Sequence, residues 1–186
     1  MMIIKYETKY LSDVIRLTRN YWANEVEMSP ALETFIYDFL VRYYLYQDGY
    51  NYLLVENNEV LGFLLSSQKD DQNESLQYFQ TKVKELNEKD KANAYAYLKY
   101  IEDNHQMVLK EMPKNSIYLG LILSHYHHGG MMLINKLKEE QKNKDIYLWT
   151  DETCNYRYYE KQGFKLIKEY VITLYGKPLK TFIYKA

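Results

Sequence analysis

The chain has 186 residues, 47% hydrophobic and 26% charged, with three Pro and seven Gly; this is globular usage, enough for one core and short for two independently stable ones. A formal net charge of −1 argues against a surface that tracks nucleic-acid phosphates, which takes an excess of Lys and Arg. A single cysteine closes no intramolecular disulfide, the opening MMIIKYE lacks the basic start and apolar run of a signal peptide, and no apolar stretch approaches the roughly 20 residues that span a bilayer. The expectation is a cytoplasmic protein with no nucleic-acid partner and no membrane span.

In chain order, MIIKYE predicts a first strand at Met2 to Glu7. Ser12 is the expected cap of a helix over Asp13 to Asn24, with Val14, Leu17 and Tyr21 at helical spacing. Ser29, Pro30 and Glu33 then supply a cap, a first-position proline and a first-turn acid for a second helix running to about Gln47. YNYLLVENNEVLGFLLSS is two apolar runs around Asn57 and Asn58, residues that tolerate the positive φ of a tight hairpin. After the polar break DDQNESL, Leu76, Phe79, Val83 and Leu86, then Ala94, Tyr97, Leu98 and Ile101, recur at helical period, predicting two helices that break between Asn87 and Asp90.

Pro113 ends that helical block. SIYLGLILS is the continuous apolar run of a strand buried on both faces, HYHHGG interrupts it, and MMLINKLKEEQKNK returns to an amphipathic helix. DIYLWT is a strand, NYRYYEKQ a short helix stopped by Gly163, and the remainder a strand pair turning at Gly176, Lys177 and Pro178. The order predicts an α/β (α+β) fold, a mixed sheet with helices on its faces, in a single domain over residues 1–186. The 22 Tyr are spread along the whole chain; they read as core rings with wet or bonded hydroxyls, not as a stacking surface for bases or sugars.

The chemistry concentrates in SIYLGLILSHYHHGGMMLINKLKEEQ, a buried strand, a short turn and a helix. A helix start presents unpaired N–H groups and partial positive charge, and Gly129 and Gly130 let a phosphate approach the backbone. A strand–Gly–helix turn also serves for connection alone. Downstream, YYEKQGF at Tyr158 to Phe164 resembles the Tyr-led motif of the GNAT superfamily of N-acetyltransferases. That family's preceding pattern is Arg or Gln, two variable residues, Gly, any residue, then Gly or Ala. His127, His128, Gly129, Gly130, Met131 and Met132 fall on it in order, with His127 replacing the Arg or Gln and Met132 the small last residue. Tyr126 matches a position often aromatic there, and the element order agrees except for the helical block at about residues 72–113, which on this resemblance is an insertion.

The resemblance implies acetyl-CoA as co-substrate, no metal, and transfer of the acyl group directly to a primary amine of a small-molecule or peptide acceptor. Backbone N–H groups at Leu121, Ile122 and Leu123 would polarise the thioester carbonyl, residues 127–132 would hold the pyrophosphate, and Asn155 would either contact pantetheine or cap the helix. Tyr159 would donate a proton to the departing sulfur. Asp151, Glu152 and His125 lie beside these strands as general-base candidates. Trp22, Glu25, Tyr43 and Tyr44 fall where the family builds its acceptor pocket, and helical packing explains them equally well.

Three alternatives stand beside this reading. A GNAT-like fold could bind CoA or a partner without turnover. Cys154 could attack the thioester, against an inert packed thiol. His125, His127 and His128 have the donor type for zinc, but neighbours in one loop rarely close a tetrahedron. A homodimer could form through the C-terminal strands or the helical block, although no heptad seam is present.

Overall fold

A computed structural model describes residues 1–22 (Trp22 by its backbone only) and 28–186. Strand β1 (Met2–Lys5) leads through a 3-10 turn at Thr8–Tyr10 into helix α1 (Leu11–Trp22). Ser12 lies inside that helix and is not its cap, because the 3-10 turn runs straight into Leu11. The expected end of the helix at Asn24 lies outside the described residues. Helix α2 (Pro30–Tyr44) starts as its sequence dictates, the Ser29 side chain accepting from the Leu32 amide, and ends three residues before Gln47.

The hairpin β2 (Tyr52–Glu56) and β3 (Glu59–Gln68) turns on Asn57 and Asn58 at φ 50° and 64°, the left-handed pair that matches strand twist. Helix α3 (Ser75–Lys82) continues as a 3-10 turn, and α4 (Glu88–Glu111) is capped by Asn87, whose side chain accepts from the Asp90 amide. Strand β4 (Ile117–Ser124), helix α5 (Gly129–Glu140), strand β5 (Ile146–Asp151) and helix α6 (Arg157–Lys161) follow. The last pair, β6 (Lys165–Leu174) and β7 (Lys177–Lys185), turns on Tyr175 and Gly176, both at positive φ. Pro178, expected in the turn, sits in β7 opposite Thr173. Among the described residues no helix is long and apolar enough to cross a membrane.

The sheet is seven-stranded and mixed, in the order β1-β2-β3-β4-β5-β7-β6. Every neighbouring pair is antiparallel except β4 and β5. Alternation along the strands divides the apolar side chains between two cores. On one face Phe35, Phe39, Phe79, Leu98, Tyr118 and Tyr147 pack beneath α1 to α4; on the other Leu119, Leu133, Leu137, Leu148 and Tyr184 pack beneath α5 and α6. The helical block thus forms part of one core, with Phe79, Ala94, Ile101 and Val108 fully buried in it.

Candidate active site

Strands β4 and β5 pair only at Ile117 with Ile146 and Tyr118 with Tyr147. Beyond that they diverge, and the cause is local. The β3–β4 ladder slips between Leu65 and Ser66, so that Gly120 is an extra residue in β4, and an extra residue bends and twists its strand. The position must be glycine, since a Cβ there would lie 2.4 Å from the Tyr44 ring, which packs on it from α2. The outer half of β4, carrying Leu121, Ile122 and Leu123, therefore faces a gap and not a paired strand. Their side chains anchor it in both cores, Leu121 and Leu123 on the α1–α4 face and Ile122 on the α5 face.

At the end of β4 the chain is fastened before it turns. The Leu61 carbonyl accepts from the His125 amide at 2.9 Å and from Ser124 Oγ at 3.3 Å, while Ser124 Oγ also accepts from the Tyr126 amide. Ser124 is a positioning residue that the sequence offered no signal for beyond its place at a strand end. Gly129 is buried against it, and a Cβ would come within 2.1 Å of that same Oγ. The first helical bond of α5 runs from the Met132 amide to the His128 carbonyl, which leaves the Gly130 and Met131 amides as the unpaired donors of a helix start. His128 is held at φ 62°, His127 and His128 are exposed with their rings 3.7 Å apart, and Met132 is half-buried in the α5 core.

The motif helix α6 brings in two tyrosines with different surroundings. Tyr158 lies on the helix start: its hydroxyl would be 2.8 Å from a Cβ at Gly130, is buried, and has no hydrogen-bond partner. Burial raises its pKa. Tyr159 packs on Tyr158, Phe164 and Tyr184 at ring separations of 5.5, 5.8 and 6.0 Å. Burial, reinforced by the neighbouring Cys154, Tyr158 and Tyr21, pushes its phenol well above the usual range, so it is a retained proton at any neutral pH. Asn155 is exposed in the turn before α6, its carbonyl accepting from the Tyr158 amide.

Each general-base candidate has a partner. Asp151 is buried and accepts from the Tyr100 hydroxyl and from both the amide and hydroxyl of Thr153. Glu152 is exposed and accepts from the Lys180 amide at 2.9 Å. His125 is exposed and meets the Tyr21 ring edge-on at 6.2 Å. Tyr43 and Tyr44, expected at an acceptor pocket, are core residues: Tyr43 bonds His105 Nδ1 at 3.0 Å, and Tyr44 covers Gly120. Glu25 and the Trp22 side chain lie outside the described residues. Cys154 is half-buried. Among the described residues no three His, Cys, Asp or Glu side chains come together as a metal site.

A mixed sheet opened between its two parallel strands, with a glycine-led helix start at the mouth of the opening, defines the class of α/β protein. No protein-family model matches the sequence, and no curated protein matches it. Solved structures do. An N-acetyltransferase from Staphylococcus aureus Mu50 superposes with a TM-score of 0.59 at 18% identity, over 98% of this chain and 100% of that one. The aminoglycoside 6'-N-acetyltransferase from Enterococcus faecium gives 0.58 at 14% identity, over 100% and 97%. An aminoglycoside 6'-N-acetyltransferase complexed with coenzyme A gives 0.55 at 14%, over 100% and 97%. The chain has the fold of the GNAT N-acetyltransferases.

Proposed function

We propose that the protein is an acetyl-CoA-dependent N-acyltransferase that transfers its acyl group directly to a primary amine. The observation that carries this reading is the gap between β4 and β5 opening onto the start of α5. In it the Gly130 and Met131 amides, with the loop from His127 to Met132, take the pyrophosphate, and the Tyr158 hydroxyl supplies a further donor beside them. Along Leu121, Ile122 and Leu123 the backbone N–H of Ile122, the one that points away from β3, faces the thioester oxygen, and Asn155 contacts the pantetheine arm. A coenzyme A complex with the same fold supports a CoA-type donor.

The chemistry follows from what the residues hold. The neutral amine attacks the thioester carbon, its lone pair forming the C–N bond as the carbonyl becomes an oxyanion stabilised by the backbone N–H of Ile122. Collapse restores the carbonyl and breaks the C–S bond, the thiolate takes the Tyr159 proton, and the amine proton leaves to solvent, through which the phenol is restored. A phenol held protonated suits the donor role.

Thermal unfolding with graded CoA tests the binding half. A ligand of the native state at a hundredfold excess over its Kd adds about 2.7 kcal/mol, and no shift at millimolar CoA refutes the reading. Thiol release from acetyl-CoA should then depend on an added amine, and Tyr159→Phe should lower kcat by about 10²–10⁴-fold with CoA affinity retained. Stabilisation by CoA without turnover of any amine identifies a binding protein of the same fold, the reading that an exposed His127 in place of Arg or Gln favours.

A further inference from the structure

Asp151 ends β5 at the edge of the gap, on the α4 face of the sheet, and is 8% exposed. A carboxylate offers about four acceptor sites. Three are filled, by the Tyr100 hydroxyl and the two donors of Thr153. All three donors are neutral. Among the described residues no Lys, Arg or His forms an ion pair with it, and none of their groupings suits a metal. A buried carboxylate is costly unless its acceptor sites are met, and the remaining site of Asp151 is one that a charged donor would fill best.

Aromatic rings lie beside that site, led by Tyr100, which bonds Asp151 itself. Tyr100 stands edge-on to Trp149 at 5.5 Å and lies 6.3 Å from Tyr97. Burial raises the pKa of the Tyr97 hydroxyl, with Tyr175, Tyr37, Asp151 and Cys154 adding to it, and burial with Cys154 does the same for Tyr159. Tyr175, at the β6–β7 turn, has a buried hydroxyl with no partner. Ring faces and a carboxylate are the combination that holds an organic cation.

Resting on the acyltransferase reading, we infer that Asp151, with the neighbouring Tyr97, Tyr100 and Tyr175, binds a second, non-reacting cationic nitrogen of the acceptor. The nitrogen held there is not the one acylated, because an adjacent anion favours its protonated form and a protonated amine has no lone pair to attack with. The acceptor class is therefore a diamine, a polyamine or an amine bearing a guanidinium.

Titration calorimetry with α,ω-diamines of three to six carbons, each against the amino alcohol of equal length, tests this directly. At least one diamine should bind the wild type tenfold or more tightly than its amino alcohol. That ratio should fall below threefold in Asp151→Asn, and fall also in Tyr97→Leu, which leaves the Asp151 hydrogen bonds intact and carries the test if the Asn variant does not fold. No preference for any diamine, or a preference that survives in both variants, overturns the assignment. Discrimination without CoA stabilisation would refute the acyltransferase reading and keep the cation site; CoA stabilisation without discrimination would do the reverse.

Discussion

His105 on α4 is half-buried between a hydrogen bond to Tyr43 and the face of Tyr118, whose ring lies 4.6 Å away and nearly parallel. Burial holds its pKa at about 4, against an ordinary 6.5. The unfolded chain therefore binds more protons between those values, and stability rises with pH across that window. It is complete above about 6.5 and falls by up to roughly 3 kcal/mol as the pH drops to about 4. Urea unfolding at pH 7, 5.5 and 4.5 should show this slope in the wild type, and His105→Gln should flatten it. Nothing in the sequence separated His105 from a solvent-facing histidine on a long helix, because its burial depends on where β4 runs. The Gly129–Gly130 turn and the motif tyrosines were legible, since each needs only local spacing to be noticed. The separate placement of Tyr158 was not, because its distinction from Tyr159 is the direction of a side chain across to another helix.

Among elements, β4 decides the site, and its bend depends on one glycine. Gly120→Ala should place a methyl group in the Tyr44 ring and cost about 1–3 kcal/mol, the range for overpacking a dense core. Chemical denaturation checks it, and combining the change with Tyr44→Leu should cost less than the two singles together, because the variants share one contact. The sequence announced β4 by its apolar run and the hairpin by its two asparagines. It did not announce the slip at Gly120, for a glycine in a strand marks a bulge only when its partner's register is known. Ser12 misled for a related reason: a good cap residue was made redundant by a 3-10 turn feeding the helix.

At the scale of the molecule, the sheet is two halves, β1 to β4 and β5 to β7, joined by two residue pairs. Helix α4 spans the join. Toward the first half it stacks His105 on Tyr118 and sets Asp90 against Ser29; toward the second, Tyr100 meets Asp151, Asn104 accepts from Tyr170, and Glu111 pairs with Lys168. Composition and periodicity found this helix but gave it no place, and on resemblance it looked like an addition. Whether or not it is an addition, it is packed into one of the two cores. Replacing residues 75–112 by a short Gly-Ser linker should abolish cooperative unfolding and leave a dye-binding, partly collapsed chain; a sharp melt would show the segment to be dispensable.

The clasp that α4 forms also sets an order of events. Its partners Asp151, Lys168 and Tyr170 lie 51, 57 and 66 residues further along the chain. During synthesis the helix emerges well before them, and its polar groups remain in water until β5 and β6 arrive. Contacts so distant in sequence are made late in folding. The two halves of the sheet are therefore locked together, and the gap between them defined, only when β5 and β6 have been made.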